Sequence, residues 1–311
     1  MNKPICLITG ATGGLGRVTA LELARRGFTV VAVARDATKA AALEQEIETA
    51  TGNPNCEAIV ADLGSLRQVR QVAETFRRRY ATLDVLINNA GVFLPTRTET
   101  VDGYETMLQV NYLAPFLLTN LLLEELQQSA QGRIINLSSS VYALGRFDPH
   151  NLQSKRRFSV LGTYAATKLF VLMFTEELAR RLAATPVTAN AVHPGIVRTR
   201  MLLNAPGVFR LVSYLSLPFS TSPVEGARTA VYLASSPAVS GVSGRLFTKS
   251  KPTAVKNRFD TLANRALLWD LTTNAVAEGA NHALLADLAK HGDVTVFSAH
   301  DPVEYARLRA P

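Results

Sequence analysis

Short apolar runs alternate with longer amphipathic segments along most of this 311-residue chain. The runs are rich in valine, isoleucine and leucine, as expected for strands that are buried on both faces. The segments between them repeat apolar residues every three or four positions, which predicts helices. This alternation predicts an α/β fold, a doubly wound parallel sheet with helices on both faces. The predicted strands are residues 4–9, 28–34, 55–61, 83–88, 132–138, 187–193 and 243–248, and the predicted helices are 18–27, 38–50, 65–79, 103–128, 162–182 and 223–236.

A glycine-rich turn follows the first predicted strand. The sequence TGATGGLG, residues 9–16, leads directly into a helical pattern. Glycines let a turn close tightly and let phosphate oxygens approach the backbone, while the helix N-terminus offers free N–H groups. A glycine-rich turn alone is a weak signal, but this turn joins the first strand to the first helix of an alternating pattern. We therefore predict that a nucleotide binds here.

A tyrosine and a lysine lie four residues apart in YAATK, on the helix predicted for residues 162–182. This spacing places Tyr164 and Lys168 on one helix face, one turn from each other. A nearby cation favours the phenolate, so we expect Lys168 to lower the pKa of Tyr164 and to make it a better general acid or base. A tyrosine and a lysine at this spacing are common by chance in helices, so other motifs are needed to support a catalytic role for the pair.

Those other motifs occur in order, and together they resemble the short-chain dehydrogenase/reductase family over residues 4–250. They are TGATGGLG, ADLGS at 61–65, NNAG at 88–91, VNYLAP at 110–115, NLSSS at 136–140, YAATK, and HPGIVRT at 193–199. The resemblance implies a Rossmann fold, a nicotinamide cofactor and hydride transfer. It implies the catalytic set Asn111, Ser139, Tyr164 and Lys168. Ser139 would orient the substrate oxygen, although Ser138 or Ser140 remains open as its substitute.

The resemblance also implies which residues bind the cofactor. Tyr164 and Lys168 belong to this set, and the others are Thr9, Gly10, Thr12, Gly14, Leu15, Gly16, Arg35, Asp62, Leu63, Asn89, Ala90, Gly91, Pro194, Gly195, Ile196 and Thr199. His193 would have a structural role, and no metal ligands are expected because the five histidines and two cysteines lack a metal-binding spacing. No histidine is assigned to catalysis.

The end of the second strand indicates the cofactor. Enzymes that bind NAD place a carboxylate there for the ribose 2′-hydroxyl, whereas this chain has Ala34 followed by Arg35. A guanidinium can bind a 2′-phosphate through two hydrogen bonds, so we predict NADP(H). Asp36 is expected to cap the next helix. Arg17 either adds positive charge or is a solvated first-turn residue.

A long insertion between Ser139 and Tyr164 resembles the retinol-dehydrogenase-like branch of the family. It contains DPHNLQSKRR, and ARD, FLLTNLLL and AVHPGIVRT agree with that branch. The branch implies a lipophilic aldehyde, ketone or alcohol. The apolar segment Met201–Phe219 is either a lid over such a substrate, a buried connecting helix or an oligomer contact.

Net charge and apolar content exclude some classes of partner. The formal charge is +8, but the longest basic runs have three residues and no nucleic-acid recognition motif accompanies them. Met201–Phe219 is interrupted by Asn204, Pro206, Arg210 and Pro218, which argues against a membrane span. Peripheral membrane contact remains open. The absence of a leader pattern and of a disulfide framework favours the cytoplasm.

We predict one domain, with residues 1–250 binding the dinucleotide and performing catalysis, and residues 251–311 as a C-terminal extension packed on it. The extension contains a helical pattern at 280–292. The tail after Trp269 is expected to cover the substrate cleft, extend the sheet edge or contact a neighbouring subunit. Family members commonly pair through the helices that carry Asn111 and Tyr164, so a homo-oligomer is expected.

The leading functional hypothesis is an NADP(H)-dependent oxidoreductase that interconverts a carbonyl and an alcohol on a lipophilic small molecule. Two alternatives use the same scaffold. One is a biosynthetic step without net redox change, such as a dehydration or an isomerisation, and the other is a non-enzymatic NADP-sensing regulator. The complete Ser139, Tyr164 and Lys168 set argues against the regulator.

Overall fold

An eight-stranded sheet forms the centre of the computed structural model, which describes residues 3–197 and 220–290, with side chains given as far as residue 277. The strand order is β3-β2-β1-β4-β5-β6-β7-β8. Every neighbouring pair from β3 to β7 is parallel, and only β8 is antiparallel. The strands are β1 (Ile5–Thr9), β2 (Thr29–Ala34), β3 (Cys56–Val60), β4 (Val85–Asn88), β5 (Arg133–Leu137), β6 (Thr188–His193), β7 (Leu246–Thr248) and β8 (Lys251–Thr253).

Helices cover both faces of this sheet, as expected for a doubly wound fold. They are α1 (Gly14–Arg25), α2 (Ala37–Thr51), α3 (Leu66–Arg79), α4 (Thr106–Leu108), α5 (Ala114–Leu121), α6 (Leu123–Gln127), α7 (Val160–Arg181), α8 (Pro223–Ser235) and α9 (Leu262–Lys290). The seven predicted strands and the predicted fold class are confirmed.

Alternating strand side chains build two separate cores, one on each face of the sheet. In β1, for example, Leu7 points into one core while Cys6 and Ile8 point into the other. The first core is closed by α3, α5, α7 and α9, and the second by α1, α2 and α8. We call these the α7 face and the α1 face.

The hairpin formed by β7 and β8 was not predicted. Its turn consists of Lys249 and Ser250, with φ angles of 50° and 60°. Two positive φ angles in succession suit a two-residue hairpin turn, but asparagine and glycine are the residues that normally mark it in a sequence. Pro252 is tolerated in β8 because this strand lies at the sheet edge, where a missing N–H breaks no ladder.

The helix predicted over residues 103–128 is interrupted by a π-helical turn at Gln109–Leu113. The Ala114 N–H donates to the Gln109 carbonyl, five residues back. Pro115 follows and has no N–H to donate to the carbonyl of Asn111, four residues before it. The chain is therefore wound more widely around Asn111 than in an α-helix, a distortion frequent at functional sites.

The C-terminal extension begins with β8 and continues into α9, which packs on α7 and α3. Helix α9 starts 18 residues before the helical pattern predicted at 280, and it includes that pattern as far as Lys290. The boundary at residue 250 stays a prediction. Among the described residues, no helix combines the length and apolar character needed to cross a bilayer.

Candidate active site

The glycine-rich turn is built to hold an anion at the start of α1. Gly10 and Gly14 have φ angles of 67° and 52°, a conformation that favours glycine. A Cβ at Gly16 would overlap the Asn89 side chain and the Gly10 carbonyl oxygen. Gly13 precedes α1 and no side chain caps the helix, so its first N–H groups and its positive dipole end are available to a phosphate. The turn fits the pyrophosphate of a dinucleotide.

Asn89 holds this turn in shape from β4. Its Nδ2 donates to the carbonyl oxygens of Thr9 at 2.7 Å and Gly10 at 3.2 Å. The Thr9 hydroxyl accepts hydrogen bonds from the backbone N–H groups of Asn89 and Ala90, each at 3.0 Å. In this structure, four residues predicted to bind the cofactor therefore bind one another, and their observed role is to brace the turn.

At the end of β2, Arg35 is exposed, as a residue that meets a 2′-phosphate must be. Asp36 caps α2 as predicted, because its carboxylate accepts a hydrogen bond from the Lys39 N–H at 3.1 Å. Arg17 forms an ion pair with Glu46, so its charge is already compensated. Of these two arginines, Arg35 is therefore the one that forms no ion pair with another described residue.

The remaining residues of the cofactor set surround the carboxyl ends of the strands. The Asp62 carboxylate accepts a hydrogen bond from the Gly64 N–H at 2.9 Å, which fixes the turn after β3. Leu63 is buried beside it, and Thr12 and Leu15 are partly buried in and after the glycine-rich turn. The carboxyl edge of a doubly wound sheet is where ligands bind in this architecture.

Tyr164 and Lys168 lie one turn apart on α7, as predicted. The Lys168 ammonium is buried, stands 5.6 Å from the centroid of the Tyr164 ring and donates a hydrogen bond to the Leu137 carbonyl at 2.9 Å. A Cβ at Gly91 would come within 3.6 Å of this ammonium. The NNAG turn therefore approaches the pair closely, and glycine leaves the space open.

The expected lowering of the tyrosine pKa does not occur in the chain alone. Burial raises the pKa of Tyr164 to about 12, because removal of water disfavours the phenolate. Burial lowers the pKa of Lys168 to about 8 for the corresponding reason. In the chain without a cofactor, the effect of burial on the pKa of Tyr164 therefore outweighs any lowering by the Lys168 ammonium, which donates its hydrogen bond to the Leu137 carbonyl.

Asn111 connects the π-helical turn to this site. Its Oδ1 accepts from the Val92 N–H at 2.7 Å, and its Nδ2 donates to the Val92 carbonyl at 3.0 Å and to the Thr167 hydroxyl at 3.2 Å. Thr167 precedes Lys168 on α7. A Cβ at Gly91 would lie 3.4 Å from Asn111 Oδ1, so Asn111 and Lys168 flank the same glycine.

The three consecutive serines after β5 occupy different environments. Ser138 is buried, and its hydroxyl donates to the Lys168 carbonyl at 2.9 Å. Ser140 is exposed, and its N–H donates to His193 Nδ1 at 3.1 Å. Ser139 lies between them, partly buried, and its hydroxyl does not cap the short 3-10 helix that follows at Ser140–Leu144. This arrangement favours Ser139 as the residue that meets a substrate.

The turn after β6 closes the other side of the cleft. Gly195 has a φ of 86°, and Ile196 is 43% exposed beside the partly buried Pro194. The Ile196 carbonyl accepts from the Thr221 N–H at 2.8 Å, which ties the turn to the segment before α8. Thr199 and the predicted lid at residues 201–219 lie outside the described residues.

Two neighbours of the pair were missed by sequence reasoning. Phe93 packs its ring edge-on against Tyr164, with 5.1 Å between centroids. Thr167 receives the Asn111 amide and donates its own hydroxyl to the Tyr164 carbonyl at 2.8 Å. Thr167 could have been found because it directly precedes Lys168 in YAATK. Phe93 carried no signal, because the loop after NNAG has no periodicity.

The arrangement unites a phenol, a buried ammonium, a hydroxyl and a buried amide beside an anion-binding turn. The phenol can donate or accept a proton, and the hydroxyl can donate a hydrogen bond to an oxygen atom. Within the described residues, no group of three or more His, Cys, Asp or Glu side chains could hold a metal ion. The geometry suits proton transfer next to a bound dinucleotide.

Comparisons with known proteins agree with this chemistry. The family model described as short chain dehydrogenase matches residues 4–206. Retinol dehydrogenase 14 of Mus musculus is 43% identical over 291 residues, covering 88% of this chain and 85% of that protein. The crystal structure of an uncharacterised protein from Mycobacterium paratuberculosis aligns with a TM-score of 0.71 and 32% identity, covering 88% of this chain and 93% of the other.

A further solved structure, the Pseudomonas aeruginosa RhlG/NADP active-site complex, aligns with a TM-score of 0.64 and 28% identity, covering 78% of this chain and 93% of the other. The family match spans most of the sheet, including the glycine-rich turn, Asn111, Ser139, Tyr164 and Lys168. The chain belongs to the short-chain dehydrogenase/reductase family, in its retinol-dehydrogenase-like branch.

Proposed function

We propose that this protein is an NADP(H)-dependent oxidoreductase that interconverts a carbonyl and an alcohol on a lipophilic small molecule. The family supports oxidoreductase chemistry between these two functional groups. The observation that carries the proposal is the convergence of Lys168, Asn111 and Gly91 beside Tyr164, at the carboxyl edge of the sheet. A structural helix has no need of a buried lysine beside a tyrosine.

In this proposal, a nicotinamide cofactor bound along the glycine-rich turn supplies or accepts the hydride. Tyr164 Oη holds the proton that the substrate oxygen gains on reduction or loses on oxidation. The Ser139 hydroxyl donates a hydrogen bond to that oxygen and orients it. Because burial raises the pKa of Tyr164 to about 12 in the chain alone, a further positive charge near the phenol is needed to bring its pKa toward neutrality.

Lys168 and Asn111 have supporting roles in the movement of the proton. Burial lowers the pKa of Lys168 to about 8, so this group gives up its proton at a pH closer to 7 than a solvated lysine does. Asn111 and Thr167 form a buried polar path that leads from α7 toward the loop after β4. We infer that this path resupplies Tyr164 with its proton after each turnover.

The test of the chemistry is Tyr164→Phe, which removes the proton carrier and keeps the ring that packs on Phe93. We expect kcat to fall by roughly 10²–10⁴-fold, the usual contribution of a general acid, with binding of NADPH nearly unchanged. Tyr232→Phe, at a partly buried tyrosine on α8, is the matched control and should retain full activity. Full activity in Tyr164→Phe would contradict the proposal.

The cofactor preference is tested at Arg35. Replacement by alanine removes a guanidinium that can bind a 2′-phosphate, and charge-assisted hydrogen bonds of this kind contribute about 1.5–3 kcal/mol. We expect the KM for NADPH to rise roughly 10–100-fold while the KM for NADH stays constant. Arg67→Ala, at an exposed arginine on α3, is the control. Equal effects of Arg35→Ala on the two cofactors would exclude this role.

The lipophilic substrate is supported by the branch and by the apolar environment of Tyr164. The similar mouse protein is named a retinol dehydrogenase, and the Phe93 ring lies against the phenol of this chain. A series of straight-chain aldehydes tests the point, with kcat/KM expected to rise as the chain lengthens because each buried methylene contributes about 0.8 kcal/mol. A flat series contradicts a lipophilic site. Stoichiometric NADPH oxidation distinguishes this reaction from one without net redox change.

A further inference from the structure

Helix α9 lies over the aromatic part of the α7 face. The side chain of Trp269 packs on Phe116 of α5, with ring centroids 4.9 Å apart, and stacks on Phe174 of α7 at 5.9 Å. Tyr112 in the π-helical turn contacts Phe116, Phe174 and Phe170 beneath this layer. The aromatic surface formed by these residues is thus closed by a helix of the same chain.

Hydrogen bonds fasten the middle of α9 to three separate elements. The hydroxyls of Tyr112 and Thr272 are 2.7 Å apart, and both residues are buried. The Tyr104 hydroxyl donates to the Ala275 carbonyl at 2.6 Å, and Arg70 of α3 donates to the Val276 carbonyl at 2.9 Å. Buried and partly buried hydrogen bonds of this kind require a defined position for α9 on the α7 face.

Ionic contacts fasten the N-terminal part of α9 to α7. Arg265 pairs with Glu176 of α7 at 2.5 Å and with Asp260 at 2.6 Å, and its side chain is only 17% exposed. The Arg181 guanidinium of α7 stands 4.2 Å from the centre of the Trp269 ring. Partly buried contacts of one arginine with two carboxylates are stronger than ordinary surface pairs.

The helices under α9 are shaped for burial on both sides. In α5, the six residues from Ala114 to Thr119 are all buried, and in α7 most residues from Thr163 to Leu178 are buried. A helix that is apolar all round must be covered by the sheet on one side and by another element on the other. These are the helices through which a homo-oligomer was expected to pair.

We propose that α9 takes the place of a partner subunit on this surface, so that the enzyme works as a monomer. The aromatic surface of α5 and α7 is satisfied within one chain, and a second copy could reach it only by displacing the contacts of Trp269, Thr272 and Arg265. The expected homo-oligomer through these helices therefore does not form. This inference concerns assembly alone and does not rest on the cofactor or the substrate.

The first experiment measures the mass of the full chain by size-exclusion chromatography with light scattering, from about 1 to 100 μM, because self-association depends on concentration. We expect the mass of one chain, 33.7 kDa, throughout this range. A stable species of two or more chains overturns the proposal.

The second experiment uses hydrogen exchange to ask whether α9 is held as the structure has it. We expect the amides of residues 262–276 to be protected in the full chain, and Thr272→Val to increase their exchange roughly fivefold, because a buried hydrogen bond contributes about 1 kcal/mol. Thr273→Val is the matched control, since Thr273 is exposed and its hydroxyl donates to the Trp269 carbonyl in its own helix, its one hydrogen bond among the described residues. The proposed packing of α9 on the α7 face would be refuted if the amides of residues 262–276 were unprotected, or if Thr272→Val and Thr273→Val exchanged at the same rate.

A third variant exposes the surface directly. Trp269→Ala removes the ring that lies on Phe116 and Phe174, while Asp270→Ala changes the exposed neighbour. We expect Trp269→Ala to associate or to bind a hydrophobic dye, and Asp270→Ala to remain monomeric. A Trp269→Ala protein that folds, stays monomeric and binds no dye counts against the proposal. If Trp269→Ala does not fold, the exchange of Thr272→Val decides the question.

Discussion

The two faces of the sheet are packed and used in different ways. The α1 face is closed by one layer of helices with mostly aliphatic side chains, and its functional part is backbone, in the glycine-rich turn held by Asn89. The α7 face is rich in aromatic residues and has a second layer, α9. Its functional part is a set of side chains, among them Tyr164 and Lys168. In the proposed function, backbone groups of the turn would bind the phosphates, whereas side chains of the α7 face would move the proton.

The largest expected effect that tests this difference between the two faces is on NADPH binding, after substitution of Gly16 on the α1 face. Gly16→Ala would place a methyl group against the Gly10 carbonyl and the Asn89 amide, and overpacking of this kind costs about 1–3 kcal/mol. We expect NADPH affinity, measured by fluorescence titration, to fall roughly 10–100-fold. Gly13→Ala is the control, because nothing lies within 4 Å of its added Cβ. Equal losses in the two variants would show that the turn is not shaped by close backbone contact.

A smaller effect is expected in the pH dependence of stability. It should have opposite signs at Glu176 and Glu177, two adjacent residues of α7. Burial and the nearby Asp260 raise the pKa of Glu176 to about 7, against the opposing charges of Arg265 and Arg245. Between the unfolded pKa near 4.5 and this value the folded state binds more protons, so the contribution of Glu176 to stability falls as pH rises.

Glu177 provides the matched comparison. Hydrogen bonds from Arg180 and Arg181 lower the pKa of its carboxyl, so its contribution is present above the unfolded pKa and is lost as pH falls through the folded pKa. Urea unfolding from pH 4 to pH 8 should therefore show Glu176→Gln gaining relative stability at the alkaline end and Glu177→Gln losing relative stability there. Parallel curves for the two variants would contradict the assigned environments.

The smallest effects are expected at two helix caps, one on each face. The Asp36 carboxylate caps α2, and the Ser159 hydroxyl caps α7 by accepting from the Gly162 N–H at 3.3 Å. Each alanine variant should have a lower free energy of unfolding, because a backbone N–H at the start of the helix loses its capping partner. Because the faces pack separately, the double variant should show additive losses in thermal or urea unfolding. A clear departure from additivity would show that the two cores are coupled.

Much of the fold was predictable because it depends on local pattern. Continuous apolar runs identified all seven parallel strands, and the glycine-rich turn was recognised by its place between β1 and α1. The cap at Asp36 followed from residue type and position. In each case, a few consecutive residues determine the local structure, so the sequence pattern is sufficient to predict it.

Other features were missed because they depend on contacts between distant residues or on unusual local choices. The Lys249-Ser250 turn uses positive φ angles without asparagine or glycine, so the β7–β8 hairpin left no trace in the pattern. The π-helical turn at Asn111 depends on a missing N–H at Pro115 within an otherwise regular helical pattern. The direction of the Tyr164 pKa shift depends on burial, which the spacing of YAATK does not report.

By itself, the sequence determined the order of strands and helices, the glycine-rich turn and the placement of Tyr164 and Lys168 on one helix face, because periodicity and glycine positions act over short distances. Only the tertiary structure decided which of the three serines bonds to the Lys168 carbonyl and how α9 closes the α7 face. It also decided that the Lys168 ammonium meets a carbonyl. Those outcomes depend on burial and on contacts between residues far apart in the chain. Whether a polar group bonds to water or to protein is decided by such contacts, which the local sequence pattern does not report.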